Sequence, residues 1–291
     1  MFVAVLSDKP ELRERFCVSA GKEMGRDEIA VYSSENGKVL IDPVQYPEKI
    51  QPLLYALSMA DYAVLIVETL TPRIGEIIVA LDSLGLDKGM VVSSSPLPVK
   101  GTKLDHYELV ADMDAARAKV LALPESSGGE AVLALASKCE AVKSVGNVAY
   151  GALKSGRIRK SDKLFQLPEK KDIEVRSLHV GGSEVDEASA GARIEMAYRG
   201  DLFERGIIVP LRHEHQVESV VNGRFRKSPF FKDELKGRIH AYTNMQYVEG
   251  TVTDNDLTLL QPLAFEKGET ILVVDASNQK LRIAGAFQSK W

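Results

Sequence analysis

The segment from Gly223 to Lys232, GRFRKSPFFK, groups cations and aromatic rings in a way that suits contact with RNA. Arg224, Arg226 and Lys227 supply positive charge for phosphates, and Phe230 with its aromatic neighbours supplies faces on which unstacked bases can stack. The same rings could equally fill the interior of a β-barrel, because aromatic side chains dominate many cores. We therefore consider both RNA contact and core packing for this segment.

Other residues with metal-binding chemistry are sparse. His213 and His215 are two residues apart, so on a strand both would lie on one face and could ligate a metal. No third ligand is near them in sequence. Cys17 and Cys139 lack the paired spacing of a zinc site. We expect solvated histidines at a domain junction, buried thiols, no metal and no cofactor.

The turn after the first apolar run lacks the residues of a phosphate-binding loop. Such a loop needs glycines, whose backbone N–H groups wrap the phosphates, and a lysine followed by Ser or Thr. Here Val3–Leu6 leads into SDKPE, which has no glycine, and Pro10 removes an N–H donor. The Gly-Lys of SAGKEMG (Ser19–Gly25) comes too late, and Glu23 follows it. Neither segment predicts a nucleotide phosphate site.

Length and charge bound the remaining possibilities. At 291 residues, with 45% hydrophobic and 27% charged residues, the chain is typical of a soluble globular protein with two or three domains. The net charge of -4 argues against a protein that coats nucleic acid non-specifically. The first 128 residues carry 13 basic and 19 acidic residues, whereas the remaining 163 carry 24 and 22. The later part is therefore better suited to a polyanion. No apolar run is long enough to span a bilayer, so we expect a cytoplasmic protein without a membrane partner.

The apolar pattern predicts an α/β unit followed by all-β units. The helical spacing of PEKIQPLLYALSMA and RIGEIIVALDSLGL alternates with short buried-strand patterns, which favours a doubly wound, mostly parallel sheet. The predicted strands are Val3–Leu6, Lys38–Ile41, Tyr62–Val67 and Gly89–Ser93. After PESSGGEAV, whose composition suits a linker, short alternating strands separated by glycines predict two small barrels. We place the domains at 1–126, 127–210 and 211–291.

Several segments resemble the translational GTPases of the elongation factor Tu and elongation factor 1-alpha group. GALKSGRIRKSD, EASAGARIEMAYRG and LFERGIIV resemble the second domain of that family. GRIHAYTNMQYVEGTV and LQPLAFEKGE are more similar to the third domain of selenocysteine-specific elongation factors and of the initiation factor gamma subunit than to that of factor Tu. GKVLIDP and MADYAVLIVE resemble strands of the GTPase domain. The resemblance implies a GTPase-like domain followed by two β-barrels.

The chain departs from the family at the residues that bind GTP. Asp42 stands at the position of the family's D-x-x-G aspartate, but Gln45 replaces the glycine. SSSPLP (Ser93–Pro98) replaces the base-reading N-K-x-D, and the segment between Cys17 and Val39 is short for a P-loop helix and a switch. Because these requirements fail together, the resemblance implies a degenerate GTP site, with Asp42 as its remnant, and loss of GTPase activity.

The resemblance also implies a pocket for the aminoacyl end of a tRNA. Alignment without gaps back from Gly151 places Ser137 and Lys138 at the Asp-Arg pair of selenocysteine-specific factors, and AGARI places Arg193 at the arginine of the family's turn. Two cations there would favour a negatively charged aminoacyl or similar group. The alternative is that Lys138 and Arg193 are solvated barrel residues.

Three hypotheses follow for the function. The first is a translation-factor-like protein that binds tRNA or another RNA end without a nucleotide switch. The second is a protein-interaction module that docks on a translation factor or the ribosome through the former switch surface. The third, an enzyme in a basic inter-domain cleft, is least favoured because no nucleophile and base occur together. None of them involves DNA.

Overall fold

The computed structural model describes residues 1–125, 129–210, 215–235 and 237–290. The predicted boundary between residues 126 and 127 lies outside these ranges, and the boundary between 210 and 211 lies at the edge of a second gap. The described elements fall into three groups in chain order, which we call the sheet unit, the first barrel and the second barrel. None of the described helices is long and apolar enough to cross a membrane.

The sheet unit is a seven-stranded mixed sheet with the order β2-β3-β4-β1-β5-β6-β7. The five strands from β4 to β7 in that order are parallel, whereas β2 and β3 form an antiparallel hairpin at one edge. The strands are β1 (Phe2–Leu6), β2 (Lys22–Arg26), β3 (Ala30–Ser33), β4 (Val39–Asp42), β5 (Tyr62–Ile66), β6 (Gly89–Val92) and β7 (Glu108–Val110). The helices are α1 (Pro10–Ala20), α2 (Gln51–Met59), α3 (Pro72–Ser83) and α4 (Met113–Leu121).

Helices cover both faces of this sheet, as the sequence predicts. On β1, Phe2, Ala4 and Leu6 belong to the core that holds α2 and α3, and Val3 and Val5 belong to the core that holds α1 and α4. Because side chains alternate across a strand, a strand covered on both faces must be apolar throughout. The four predicted strands are all confirmed, and the continuous apolar runs that identified them are buried.

The first barrel closes on itself as a ring of six strands, β11-β16-β8-β9-β15-β12, completed by pairing of β12 with β11. β13 extends β12, and β10 pairs separately with β14. The strands are β8 (Leu133–Val142), β9 (Gly146–Ser155), β10 (Arg157–Arg159), β11 (Lys163–Leu167), β12 (Lys171–Val180), β13 (Ser183–Val185), β14 (Glu187–Ser189), β15 (Arg193–Arg199) and β16 (Gly206–Pro210).

The second barrel is also closed, with the order β17-β20-β19-β18-β21-β22. Closure satisfies the backbone groups that an open sheet would leave at its edges. The two barrels after the mixed sheet confirm the predicted order of fold types. The strands are β17 (Gln216–Lys227), β18 (Ile239–Thr243), β19 (Gln246–Val252), β20 (Asp256–Phe265), β21 (Thr270–Val274) and β22 (Ile283–Ser289).

A buried ion pair joins the sheet unit to the second barrel. Glu76 of α3 has no exposed surface, and the Arg282 side chain is 6% exposed. Arg282 Nη2 donates to Glu76 Oε1 at 2.7 Å and Nε donates to Oε2 at 2.8 Å. The Arg282 backbone N–H also donates to Oε2, at 3.1 Å. This forked geometry is the strongest form of arginine–carboxylate pairing, and it fixes the direction in which the barrel faces α3.

Further polar contacts fix the two barrels against α2. Tyr242 of β18 lies against this helix, donating from its hydroxyl to the Leu54 carbonyl at 2.8 Å and lying 2.6 Å from Ser58 Oγ. Lys154 of β9 reaches the end of the helix, where its Nζ lies 2.5 Å from Asp61 Oδ1. Apolar residues of all three groups belong to one continuous core. The three groups therefore pack as a single body.

We predict that Glu76→Ala lowers the free energy of unfolding by about 3–5 kcal/mol, because it leaves the Arg282 charge buried without its carboxylate. Urea denaturation followed by far-UV circular dichroism measures this change. The matched control is Glu187→Ala, which removes a half-buried carboxylate paired with the exposed Arg157 and Arg159 and should change stability far less. A double variant, Glu76→Met with Arg282→Met, should recover most of the loss. Equal stability of Glu76→Ala and the control would contradict the prediction.

Candidate functional site

The carboxyl ends of β1 and β4, where ligands bind in doubly wound sheets, are occupied by an arginine. Arg13 of α1 is fully buried, and its Nε donates to Asp42 Oδ1 at 2.6 Å. Its Nη1 donates to the Ser7 carbonyl at 2.6 Å, and its Nη2 donates to the carbonyls of Pro43 at 3.1 Å and Tyr46 at 2.9 Å. The aspartate that the resemblance assigns to the nucleotide site is thus held by a side chain of the protein itself.

The connection between β1 and α1 is correspondingly short. Only Ser7, Asp8 and Lys9 separate strand and helix, and α1 begins at Pro10. Burial raises the pKa of Asp42, and the neighbouring Arg13 guanidinium opposes that rise. Arg13 was not among the residues singled out from the sequence. The available signal was its position: it belongs to the buried stripe of α1 with Leu12, Phe16, Cys17 and Ala20.

An open cleft of about 600 Å³ lies farther along the sheet edge, beyond β5, β6 and β7. Three of the polar side chains that line it already have partners. Glu68 pairs with Lys9, and Asp112 caps α4 by accepting from the Ala115 N–H at 2.8 Å. Ser93, the first residue of SSSPLP, accepts from the Ser95 N–H at 3.2 Å. This cleft presents few uncommitted polar groups to a ligand.

A more enclosed cavity of about 280 Å³ lies between the β2–β3 turn and the outer face of the first barrel, and we call it the inter-unit cleft. Lys138 of β8 and Arg193 of β15 both line it, as the resemblance implies. Tyr150 of β9 lies between them, because the strand register sets it opposite Lys138 on one side and Glu195 on the other. The structure thus brings the two predicted pocket residues together.

The expected positive pocket is instead electrically balanced. Lys138 Nζ lies 2.8 Å from Glu140 Oε2, and Arg193 Nη1 lies 2.5 Å from Glu195 Oε1. Each carboxylate is two residues beyond its cation on the same strand, and residues at that spacing share a face. The hydrogen bond to Glu140 raises the pKa of Lys138. Arg193 is mostly buried, so it is not the solvated barrel residue that we considered as the alternative. Only Lys138 fits that description.

Arg205 closes one end of the cleft and was not singled out from the sequence. It precedes Gly206 in LFERGIIV, so the segment that carried the resemblance contained it. Its Nε donates to the Ser137 carbonyl at 2.8 Å, and its guanidinium carbon lies 4.6 Å from the centre of the Tyr55 ring. It also forms an ion pair with Glu28 in the β2–β3 turn. Arg205 therefore connects the first barrel to the sheet unit.

Arg224 and Arg226 lie on the outer face of β17, and the other two predicted RNA contacts, Lys227 and Phe230, lie at and just beyond the end of that strand. Arg224, Arg226 and Lys227 are exposed, and no carboxylate of the described residues forms an ion pair with them. Phe230 is 54% exposed, whereas Phe231 is 3% exposed and belongs to the barrel core. Core packing is thus confirmed for Phe231, whereas RNA contact by Phe230 stays a prediction. Lys227 Nζ lies 5.5 Å from the centre of the Phe231 ring.

The histidine pair is only partly described, because His213 lies outside the described residues. The His215 side chain is 1% exposed and its Nε2 lies 3.6 Å from Glu266 Oε1, so it is not the solvated residue we expected. Within the described ranges, no group of three or more His, Cys, Asp or Glu residues could hold a metal ion.

Comparison with known proteins shows the fold. No protein-family model matches the chain. Uncharacterized protein MJ0325 of Methanocaldococcus jannaschii is 28% identical over 91% of this chain and 94% of its own length. Translation elongation factor SelB from Methanococcus maripaludis, in complex with the GTP analogue GppNHp, superposes with a TM-score of 0.77 at 18% identity, covering 100% of this chain and 79% of that one.

A bacterial selenocysteine-specific elongation factor, EF-Sec, superposes with a TM-score of 0.70 at 16% identity. The match covers 98% of this chain and 58% of that chain, so this protein spans little more than half of the bacterial factor's length. Together these similarities establish an elongation factor Tu-like translation factor fold.

We predict that Arg13→Met destabilises the protein by about 3–5 kcal/mol near neutral pH, because it leaves the buried Asp42 carboxylate unpaired. The sign of the pH dependence follows from the raised Asp42 pKa, which rises further without Arg13. Below that pKa the carboxyl is neutral and needs no cation, so the free energy of unfolding should fall as pH rises through it.

Urea denaturation at about pH 5 and about pH 7.5 tests this sign. The control is Arg13→Met combined with Asp42→Asn, which should lose the additional pH dependence. A destabilisation by Arg13→Met that is the same at both pH values would show that Asp42 is not the group responsible.

Proposed function

We propose that this chain is an elongation factor-like protein without GTPase activity, which binds the acceptor end of tRNA or another RNA in a translation-related role. The observation that carries the proposal is a contrast between two sites. Arg13 fills the strand ends at which a phosphate would have to bind, while the inter-unit cleft remains open. The proposed protein is a binding protein, with no catalytic residue.

The M. maripaludis SelB structure holds a GTP analogue, which makes the differences in this chain informative. Phosphate binding in such folds depends on backbone N–H groups and a lysine at the start of the first helix. Here the three-residue connection and Pro10 provide no such cradle, and the Arg13 donors are used by Asp42 and by backbone carbonyls. These features support loss of nucleotide binding.

The second barrel offers the surface for RNA. Arg224 and Arg226 project from the outer face of β17 without ion-pair partners among the described residues, so binding a phosphate does not require breaking a salt bridge. Exposed Phe230 adds an aromatic face close by in sequence. Unpaired cations beside an exposed ring suit single-stranded or distorted RNA.

A second candidate function is docking on a translation factor or the ribosome. Two large apolar side chains favour it: Val220 of β17 is 52% exposed and Leu260 of β20 is 73% exposed. Thr258 pairs with Val220 and lies two residues before Leu260, so the two apolar side chains share the outer face of adjacent strands. Exposed apolar neighbours of this kind occur at protein interfaces.

Paired binding measurements test the proposal: fluorescent GTP and GDP with magnesium, beside aminoacylated and uncharged tRNA across a salt series. We expect no nucleotide binding at micromolar concentrations and RNA binding that weakens as salt rises. Lys138→Ala and Arg193→Ala should reduce the preference for aminoacylated tRNA. Binding of GTP or GDP at micromolar concentrations would overturn the proposed loss of nucleotide binding. Failure of both the nucleotides and tRNA to bind would favour docking on a protein.

Replacing cations on β17 should change the salt dependence of RNA binding. Because each arginine is expected to neutralise one phosphate, Arg224→Ala and Arg226→Ala should each lower the slope of log K against log salt by about 0.7–0.9. The matched control is Arg159→Ala, which removes an exposed arginine that is paired with Glu187 in the first barrel. Equal slopes for all three variants would place the RNA elsewhere.

A further inference from the structure

A further cavity, of about 600 Å³, lies where the sheet unit and both barrels meet, and we call it the junction cavity. Tyr55 of α2, Pro168 between β11 and β12, and Tyr247 of β19 all line it, so each of the three groups contributes to its wall. Its volume falls within the roughly 300–1,000 Å³ of pockets that hold small molecules. A molecule bound in this cavity would contact all three groups at once.

Aromatic rings and a methionine form much of the wall of the junction cavity. Met245 is 2% exposed and Tyr55 is 6% exposed, so both lie at its floor. Tyr247 stacks on His240 with ring centres 4.4 Å apart, which holds the tyrosine ring in place beside the cavity. Tyrosine rings and a methionine sulfur attract an aromatic ring more strongly than a saturated ring of the same size. This wall therefore suits a flat aromatic ligand.

The charges of the junction cavity disfavour an anion. Among the described residues that line it, Arg205 is the one cation, and its guanidinium is already paired with Glu28. Glu169 and Glu204 also line the cavity, and Glu169 pairs with Lys171. Glu204 is 88% exposed and lies 3.7 Å from the Arg205 guanidinium, so it is held only loosely. A cation would gain attraction from Glu204, whereas an anion would face both carboxylates and compete with Glu28 for Arg205.

We infer that the junction cavity is a binding site for a small, flat aromatic molecule that carries a positively charged amine. The aromatic ring would lie against Tyr55, Tyr247 and Met245, and the amine would lie at the rim near Glu204. Because the wall comes from all three groups, the ligand would bind only their assembled arrangement and would stabilise it. The inference rests on this cavity alone and does not require RNA binding.

Four probes of similar size test the ligand class by calorimetry or ligand-detected NMR. They are 2-(1-naphthyl)ethylamine, its fully saturated decahydronaphthyl counterpart, the uncharged 2-(1-naphthyl)ethanol and the anion 3-(1-naphthyl)propionate. We expect naphthylethylamine to bind in the millimolar range or tighter, the alcohol more weakly, and the propionate at least about three-fold more weakly. The saturated amine should also bind more weakly, although it is more apolar, because it lacks the aromatic contacts.

A blocking variant assigns the site. Gln261 of β20 is exposed and lines the junction cavity, so Gln261→Trp should fill part of the cavity and abolish binding of naphthylethylamine. The matched control is Gln288→Trp, the same change at an exposed position of β22 outside the cavity, which should bind as the wild type does. The amine should raise the Tm of the wild type and the control but not that of Gln261→Trp. Tyr55 and Arg205 also line the inter-unit cleft, so the test leaves them unchanged.

A second pair of variants tests the charge preference without a bulky substitution. Glu204→Gln should bring the preference for the amine over the propionate close to one. The matched control is Glu184→Gln, which removes an exposed carboxylate 3.8 Å from Lys160 in the first barrel, outside the cavity, and should keep the wild-type preference. The inference is overturned if no probe binds the wild type, if the saturated amine or the propionate binds as tightly as naphthylethylamine, or if Gln261→Trp binds unchanged.

Discussion

The buried pair between Glu76 and Arg282 is the interaction on which the arrangement of the molecule depends. Charges are costly to bury, and this pair is tolerated because both carboxylate oxygens receive arginine donors. Its position between α3 and the second barrel sets where that barrel lies, while Lys154 and Arg205 hold the first barrel against the same sheet unit. The inter-unit cleft depends on these contacts, because they hold the sheet unit and the two barrels in fixed positions relative to one another.

Much of the fold could be predicted because burial on both sides forces apolar runs in β1, β4, β5 and β6. The β2–β3 hairpin escaped prediction because an edge strand needs no such run, and four of the five residues of β2 are exposed. That hairpin forms one wall of the cleft and carries Asp27 and Glu28. The least predictable element of the sheet unit is therefore the one closest to the candidate site.

Lys138 and Arg193 line one cavity, as expected from the sequence, but their pairing with carboxylates was not predicted. The resemblance placed Lys138 and Arg193 together, since backbone topology persists across distant relatives. Their partners were missed although the spacing was readable: Glu140 and Glu195 each stand two residues after their cation, and residues at that spacing on a strand share a face. For Arg13 the signal was its position on the apolar stripe of α1 with Leu12, Phe16 and Cys17, but an arginine at such a position is more often solvated than buried, so its role as an anchor was missed.

The same anchors bear on how a ligand would leave the proposed site. A nucleotide-switched factor changes its affinity by changing the arrangement of its domains, and the differential affinity of the nucleotide for two states drives that change. Here Arg13 occupies the strand ends from within, and Glu76 holds the second barrel directly. Under the proposed function no nucleotide distinguishes two states at that edge, so release from the proposed site is governed by equilibrium alone. Such a protein responds to the concentration of its ligand, which suits sensing or sequestration better than delivery.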